Sequence, residues 1–128
     1  MPGGFSVYEG NVILNSVFDS GAALWIAWST TAPNADGTNV TEPVGNNYSR
    51  TAITAGDWAT SSARATSNAS VVTSATASGS WGTISHFALY DAASAGNMID
   101  YGTLDVAKTI GAGQSLRFAA GALDVTLT

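Results

Sequence analysis

Residues 22–29 read AALWIAWS, an almost unbroken apolar run with a tryptophan on each side of a strand. Side chains alternate along a strand, so Leu24, Ile26 and Trp28 share one face while Ala23, Trp25 and Ala27 share the other. The first face is expected to fill a core. Trp25 then meets a helix of the same chain or a neighbouring subunit. The C-terminal LDVTLT has the cleaner pattern: Leu123, Val125 and Leu127 alternate with Asp124, Thr126 and Thr128, as in a half-buried antiparallel strand. SLRFAAG agrees, with Leu116 and Phe118 on one side of Arg117. In GTISHFALYD, His86 falls on the face of Ile84, Ala88 and Tyr90, which leaves Phe87 and Leu89 as core positions on the opposite face.

One segment has a helical period. SVYEGNVILNSVFDSG opens with Ser6 and Glu9 at the spacing of a capping box. Val7, Leu14, Val17 and Phe18 then follow at helical intervals, and Gly21 is a suitable stop. This predicts a helix over about 6–18, with Gly10 a cost of about 1 kcal/mol relative to alanine. Strands are predicted near 22–29, 48–54, 67–76, 82–90, 97–103, 106–110, 114–119 and 122–128. The turns between them include PNADG, EPVGNN, ASAGN and GAGQ. The stretch 57–80 approaches low complexity and suits a weakly specified strand or a surface arm. The expected fold is mainly β: one domain over 1–128, an antiparallel, jelly-roll-like β-sandwich with a short N-terminal helix.

Composition narrows the function. Charged residues make up 10% of the 128-residue chain, against about 25% in an average soluble protein, and thirty Ser and Thr with 14 Gly take their place. Such a neutral surface suits a protein largely occupied by neighbours. The four basic residues, Arg50, Arg64, Lys108 and Arg117, are scattered through a chain of net charge −5, so nucleic acid is not an expected partner. No cysteine is present, and the start, MPGGFSVYEGN, lacks the pattern of a secretory signal. No apolar run is long enough to span a bilayer, so neither membrane insertion nor processing is expected.

The residues that carry chemistry stand apart from one another. His86 is the only histidine, with no partner at metal or triad spacing. The nine acids are spread singly and read as caps, turns and solubilising charges rather than as a glycosidase pair. NADGTN (34–39) has the oxygen side chains of a calcium loop but no downstream acid, and Asp36-Gly37 is equally a turn. Sequons at Asn39, Asn47 and Asn68 carry little weight in a chain so rich in Asn, Ser and Thr. No catalytic, metal or cofactor residue is expected. Among the aromatics, Trp58 in AGDWATSS and Tyr48 are the candidates for exposed contacts, such as stacking on a sugar.

Taken together, LWIAWSTTAPNADGTNVTEPVGNNYSRTAIT resembles small bacteriophage virion proteins labelled tail-fibre or head-decoration proteins. Their pattern is a short helix, LWIALSTADP, a DG turn, TEP, a Gly/Asn stretch, then YAR and a strand. The matching pieces here are Leu24–Thr30, Asp36-Gly37, Thr41-Glu42-Pro43 and Tyr48-Ser49-Arg50, with GSWGTISHFALYDAASAGN and IGAGQSLRFAAGALDVTLT also similar. Trp28 departs from the pattern, which has a smaller aliphatic there. The resemblance implies an accessory virion protein without catalytic residues. The leading expectation is a capsid decoration (cement) protein on the head exterior, a homotrimer bridging copies of the major capsid protein. The alternative is a tail-fibre or tail-tip module that binds a host surface glycan.

Overall fold

A computed structural model describes residues 6–19, 23–54 and 57–126. Ser6 starts the one α-helix among the described residues as its sequence position predicts: its backbone is extended and its Oγ accepts from the Glu9 amide at 3.1 Å. Helix α1 spans Val7–Leu14 and continues as one π turn over Asn15–Asp19. Eight strands follow: β1 (Leu24–Ser29), β2 (Thr51–Ile53), β3 (Ala65–Ser67), β4 (Val72–Thr73), β5 (Gly82–Tyr90), β6 (Met98–Ile110), β7 (Arg117–Phe118) and β8 (Asp124–Thr126). The protein is mainly β, with antiparallel sheets and one short helix. The chain forms two compact units, each discontinuous in sequence. One comprises Met1–Ala23, Ile53–Val72 and Phe118–Thr128, the other Leu24–Ala52 and Thr73–Arg117.

The second unit is organised by a four-stranded sheet in the order β2-β1-β5-β6. β1 pairs antiparallel with β5 so that Ile26 faces Leu89 and Trp28 faces Phe87, while Trp25 faces Tyr90 and Ala27 faces Ala88. Opposite residues share a sheet face, so the expected apolar face of β1 is continued by Phe87 and Leu89. Leu24, Ile26, Trp28, Phe87, Leu89 and Leu116 are all buried. The other face of β1 is covered as well. Ala27, Ala88 and Tyr90 form a buried cluster against which Val40 and Met98 pack, and Trp25 is half-buried. β6 differs from expectation, since the two predicted strands 97–103 and 106–110 form one. The pairing jumps from His86↔Thr103 to Ile84↔Lys108, so residues 104–107 bulge opposite Ser85 alone. A bulge of this size breaks the alternation, which is why the sequence reads as two strands.

In the first unit α1 packs against β3, and β3 pairs antiparallel with β8. The weakly patterned segment is tied down by α1. Asn11 Oδ1 accepts from the Arg64 amide at 2.8 Å, Asn15 Oδ1 from the Ser61 amide at 2.9 Å, and the Asn11 carbonyl from Ser61 Oγ at 2.9 Å. Asn11 and Asn15, four residues apart, lie on one helix face. Gly10 makes that approach possible: a Cβ there would lie 2.4 Å from Arg64 Cγ. The turn between Ser62 and Ala65 holds Ala63 and Arg64 in the left-handed region, at φ 52° and 61°. The predicted strand 67–76 does not form as one: it meets β3 only at Ser67 and contains the two-residue β4. Between them, fully buried Asn68 donates from Nδ2 to the carbonyls of Ser70 and Ala119 and accepts from the Leu123 amide. Leu123, Val125 and Phe118 are buried, and Leu127 lies outside the described residues.

Candidate functional site

A polar network in the second unit is made by Glu42, Tyr48 and Arg50, from the TEP and YSR segments. The intervening chain must reverse tightly, and it does so with Gly45, Asn46 and Asn47 all at positive φ (75°, 54° and 65°). Glycine and asparagine tolerate that region best. The turn is held from outside its own segment: Asn46 Nδ2 donates to the Ser80 carbonyl, Asn47 Nδ2 to the Thr76 carbonyl, and Trp81 Nε1 to the Asn46 carbonyl. Tyr48 and Arg50, two residues apart in extended chain, then point the same way, back to Glu42.

Arg50 meets Glu42 as a fork, Nε to Oε1 at 3.1 Å and Nη2 to Oε2 at 3.0 Å. Its Nη1 donates to the carbonyls of Ala92 (3.0 Å) and Ala95 (2.8 Å), and its guanidinium lies 3.9 Å from the centre of the Tyr90 ring. The Tyr48 hydroxyl donates to Glu42 Oε1 at 2.6 Å and accepts from the Trp28 amide at 3.1 Å. Burial, then the hydrogen bond to Glu42, pushes its pKa far above the ordinary phenol range, so it stays a neutral donor. The Arg50 side chain is 8% exposed and that of Glu42 25%. Arg50 therefore pins the 91–97 turn, which also closes on itself: Asp91 accepts from the amide and side chain of Asn97 at 2.7 and 3.0 Å. Those bonds, led by the backbone one, hold the Asp91 carboxyl below its usual range.

This network consumes its own chemistry. The carboxylate, phenol and guanidinium all have partners within the chain, which makes it a structural tie between loops. In the sequence TEP and YSR are landmarks of a pattern, and nothing in it states that they touch. The signal present was the i, i+2 spacing of Tyr48 and Arg50, with a lone acid upstream of the Gly-Asn-Asn turn.

The two aromatics expected to be exposed are corrected. Trp58 is 3% exposed, its ring edge-on to Phe18 at 4.7 Å, with a strand bridge to Asn68. Its polar neighbours mislead because a hydroxyl among them is used internally: Ser61 Oγ donates to the Asn11 carbonyl. Tyr48 is half-buried, with its hydroxyl engaged and its ring edge-on to Trp81 at 5.3 Å.

The remaining candidates are placed as follows. His86 Nδ1 lies 2.7 Å from Ser85 Oγ, and the ring shares its face with Ser29 and Thr103 of the adjoining strands. The 34–39 segment is a turn: Gly37 donates to the Asn34 carbonyl, and Asp36 Oδ1 accepts from both the hydroxyl and the amide of Thr38. Those bonds, led by the Thr38 hydroxyl, hold the Asp36 carboxyl below its usual range. Asp57 likewise accepts from the amide and hydroxyl of Thr54. Among the described residues no group of three or more His, Cys, Asp or Glu side chains is placed to hold a metal ion. Of the three sequon asparagines, Asn68 is buried with its amide fully engaged.

A family model described as "Podophage GP4 fiber I protein gp80" matches residues 4–126, nearly the whole chain. No curated protein matches it.

Proposed function

Because the chain belongs to the family of podophage GP4 fiber I protein gp80, and so is a phage virion structural protein, we propose that it is a small structural component of the tail-fibre assembly. The observation that carries this reading is the near-complete match to a fibre-protein family, which favours a position at the tail over the head decoration expected from sequence. The site geometry supports a structural task. Glu42, Tyr48 and Arg50 are spent on holding loops together, and the hydroxyl-rich, weakly charged surface suits packing against other virion proteins. The glycan-binding form of the tail reading is less well supported, since Trp58 is buried and Tyr48 is engaged internally. Catalysis is no part of the proposal: His86 has a serine neighbour, and the acids whose bonds are described serve turns and the Arg50 fork.

Copy number and position on purified virions test this. Quantitative mass spectrometry against the major capsid protein should give a few to a few dozen copies per particle, and immunogold should label the tail. Hundreds of copies spread over the head, with heads that burst more readily when the protein is deleted, would return the assignment to capsid decoration.

A further inference from the structure

Val44 is 92% exposed, more than any other large apolar side chain among the described residues. It stands at the head of the Gly45–Asn47 turn, directly after Pro43. A single exposed valine on a loose loop needs no explanation. This one is held still. The Tyr48 amide closes the turn on the Gly45 carbonyl at 3.0 Å. The 76–81 segment grips the turn from outside. The Asn46 carbonyl accepts from the Ser78 amide and from Trp81 Nε1, and the Asn46 and Asn47 side chains donate to the Ser80 and Thr76 carbonyls. Gly79 leaves room for this grip, since a Cβ there would lie 2.7 Å from Asn46 Oδ1. On the other side of Val44, Glu42 is locked by Arg50 and Tyr48. The backbone is therefore fixed both before and after the exposed valine.

From this arrangement we propose that the Pro43–Val44 tip is a docking knob for a different protein of the virion, one that presents an uncharged apolar socket. A tip ordered in advance loses little conformational freedom on docking, so the burial of its side chain goes into affinity. From Pro43 to Ser49 the chain carries no charge, and the neighbouring Glu42 is paired with Arg50. A charged socket would be desolvated without a counter-charge here, so the complement is neutral. A second copy of this chain is not the occupant. Two convex tips that meet bury little beyond their two valines, far below the roughly 1,200 Å² that a stable interface takes. A concave partner instead wraps the tip and takes the neutral turn as its rim. The proposal goes beyond the tail-fibre reading and does not depend on it, because it names the contact surface and not the position in the particle.

Photocrosslinking in assembled particles tests the proposal, with p-benzoylphenylalanine in place of Val44. Irradiation should join residue 44 to one other virion protein, at a peptide that mass spectrometry identifies. The same probe in place of Val71, which is also exposed, should not give that product. Particles grown with Val44→Asp should carry about tenfold less of this chain or lower, relative to the major capsid protein, because the socket cannot solvate a carboxylate. Val44→Ile should be incorporated as the wild type is. Val44 is exposed, so the isolated Val44→Asp chain should match the wild type in melting and circular dichroism; Val44→Ser replaces it if it does not. No crosslink from residue 44, or a crosslink only to a second copy of this chain, overturns the proposal. So does incorporation of the polar variant at the wild-type level.

Discussion

The ring of Phe87 occupies the space that a side chain on Gly102 would need. The two residues are cross-strand partners on β5 and β6, and a Cβ on Gly102 would lie 2.8 Å from Cε1 and 2.9 Å from Cζ of the ring. An aromatic folded over a cross-strand glycine covers backbone that would otherwise lose its packing. Gly102→Ala should displace the ring and destabilise the protein by about 1–3 kcal/mol. Urea unfolding checks this. The cost should shrink in a Phe87→Leu background, which frees the space, and equal costs in both backgrounds would show that the ring is not the cause.

Gly10 gives a prediction in which helix propensity and packing disagree in sign. Propensity alone says that Gly10→Ala gains about 1 kcal/mol. The Arg64 stem lies where the new methyl would go, with Cγ at 2.4 Å and Cβ at 3.1 Å, and its backbone is held to Asn11. The substitution should therefore destabilise, by about 1–3 kcal/mol. A higher midpoint in thermal or urea unfolding would show that α1 is not seated on Arg64 as described.

Arg50 should be intolerant even of lysine. Arg50→Ala strips Glu42 of its cation, leaving it the Tyr48 bond alone, and removes the donor to the carbonyls of Ala92 and Ala95; it should cost about 3–5 kcal/mol. Arg50→Lys keeps the charge but loses the fork and the stacking on Tyr90. In that variant, hydrogen exchange at 91–97 should accelerate more than exchange in the paired strands. Unchanged protection there would separate Arg50 from the turn it is described as pinning.

Asp100 gives a pH signature. It sits half-buried on β6 opposite Leu89, and burial raises its carboxyl pKa above the ordinary value near 3.9. The folded state therefore holds this proton more tightly than the unfolded chain. The stability it contributes is fully present below the unfolded pKa and is lost as pH rises through the folded one. Asp100→Asn should accordingly stabilise at pH 7, and the gain should fade as the pH approaches 3. A difference between variant and wild type that is independent of pH would place the effect in packing rather than in ionisation.

The sequence by itself determined the elements and most of the core. Alternation placed β5 at 82–90 and marked Ile26, Trp28, Leu89 and Leu123 as interior, and Ser6 capped the helix where expected. These features are local, because a strand's alternation and a helix's first turn are set by residues a few positions apart. The tertiary structure alone decided what lies against what. Trp58 reads as exposed from its polar neighbours, yet Phe18 and Asn68, distant in sequence, cover it. Gly10 reads as a flaw until Arg64 is seen seated on it. Glu42, Tyr48 and Arg50 read as scattered landmarks until the Gly45–Asn47 turn folds them together. A periodic pattern states which side of an element faces inward. It carries no information about which distant residue fills the space there, and that assignment exists only once the chain has closed its long loops.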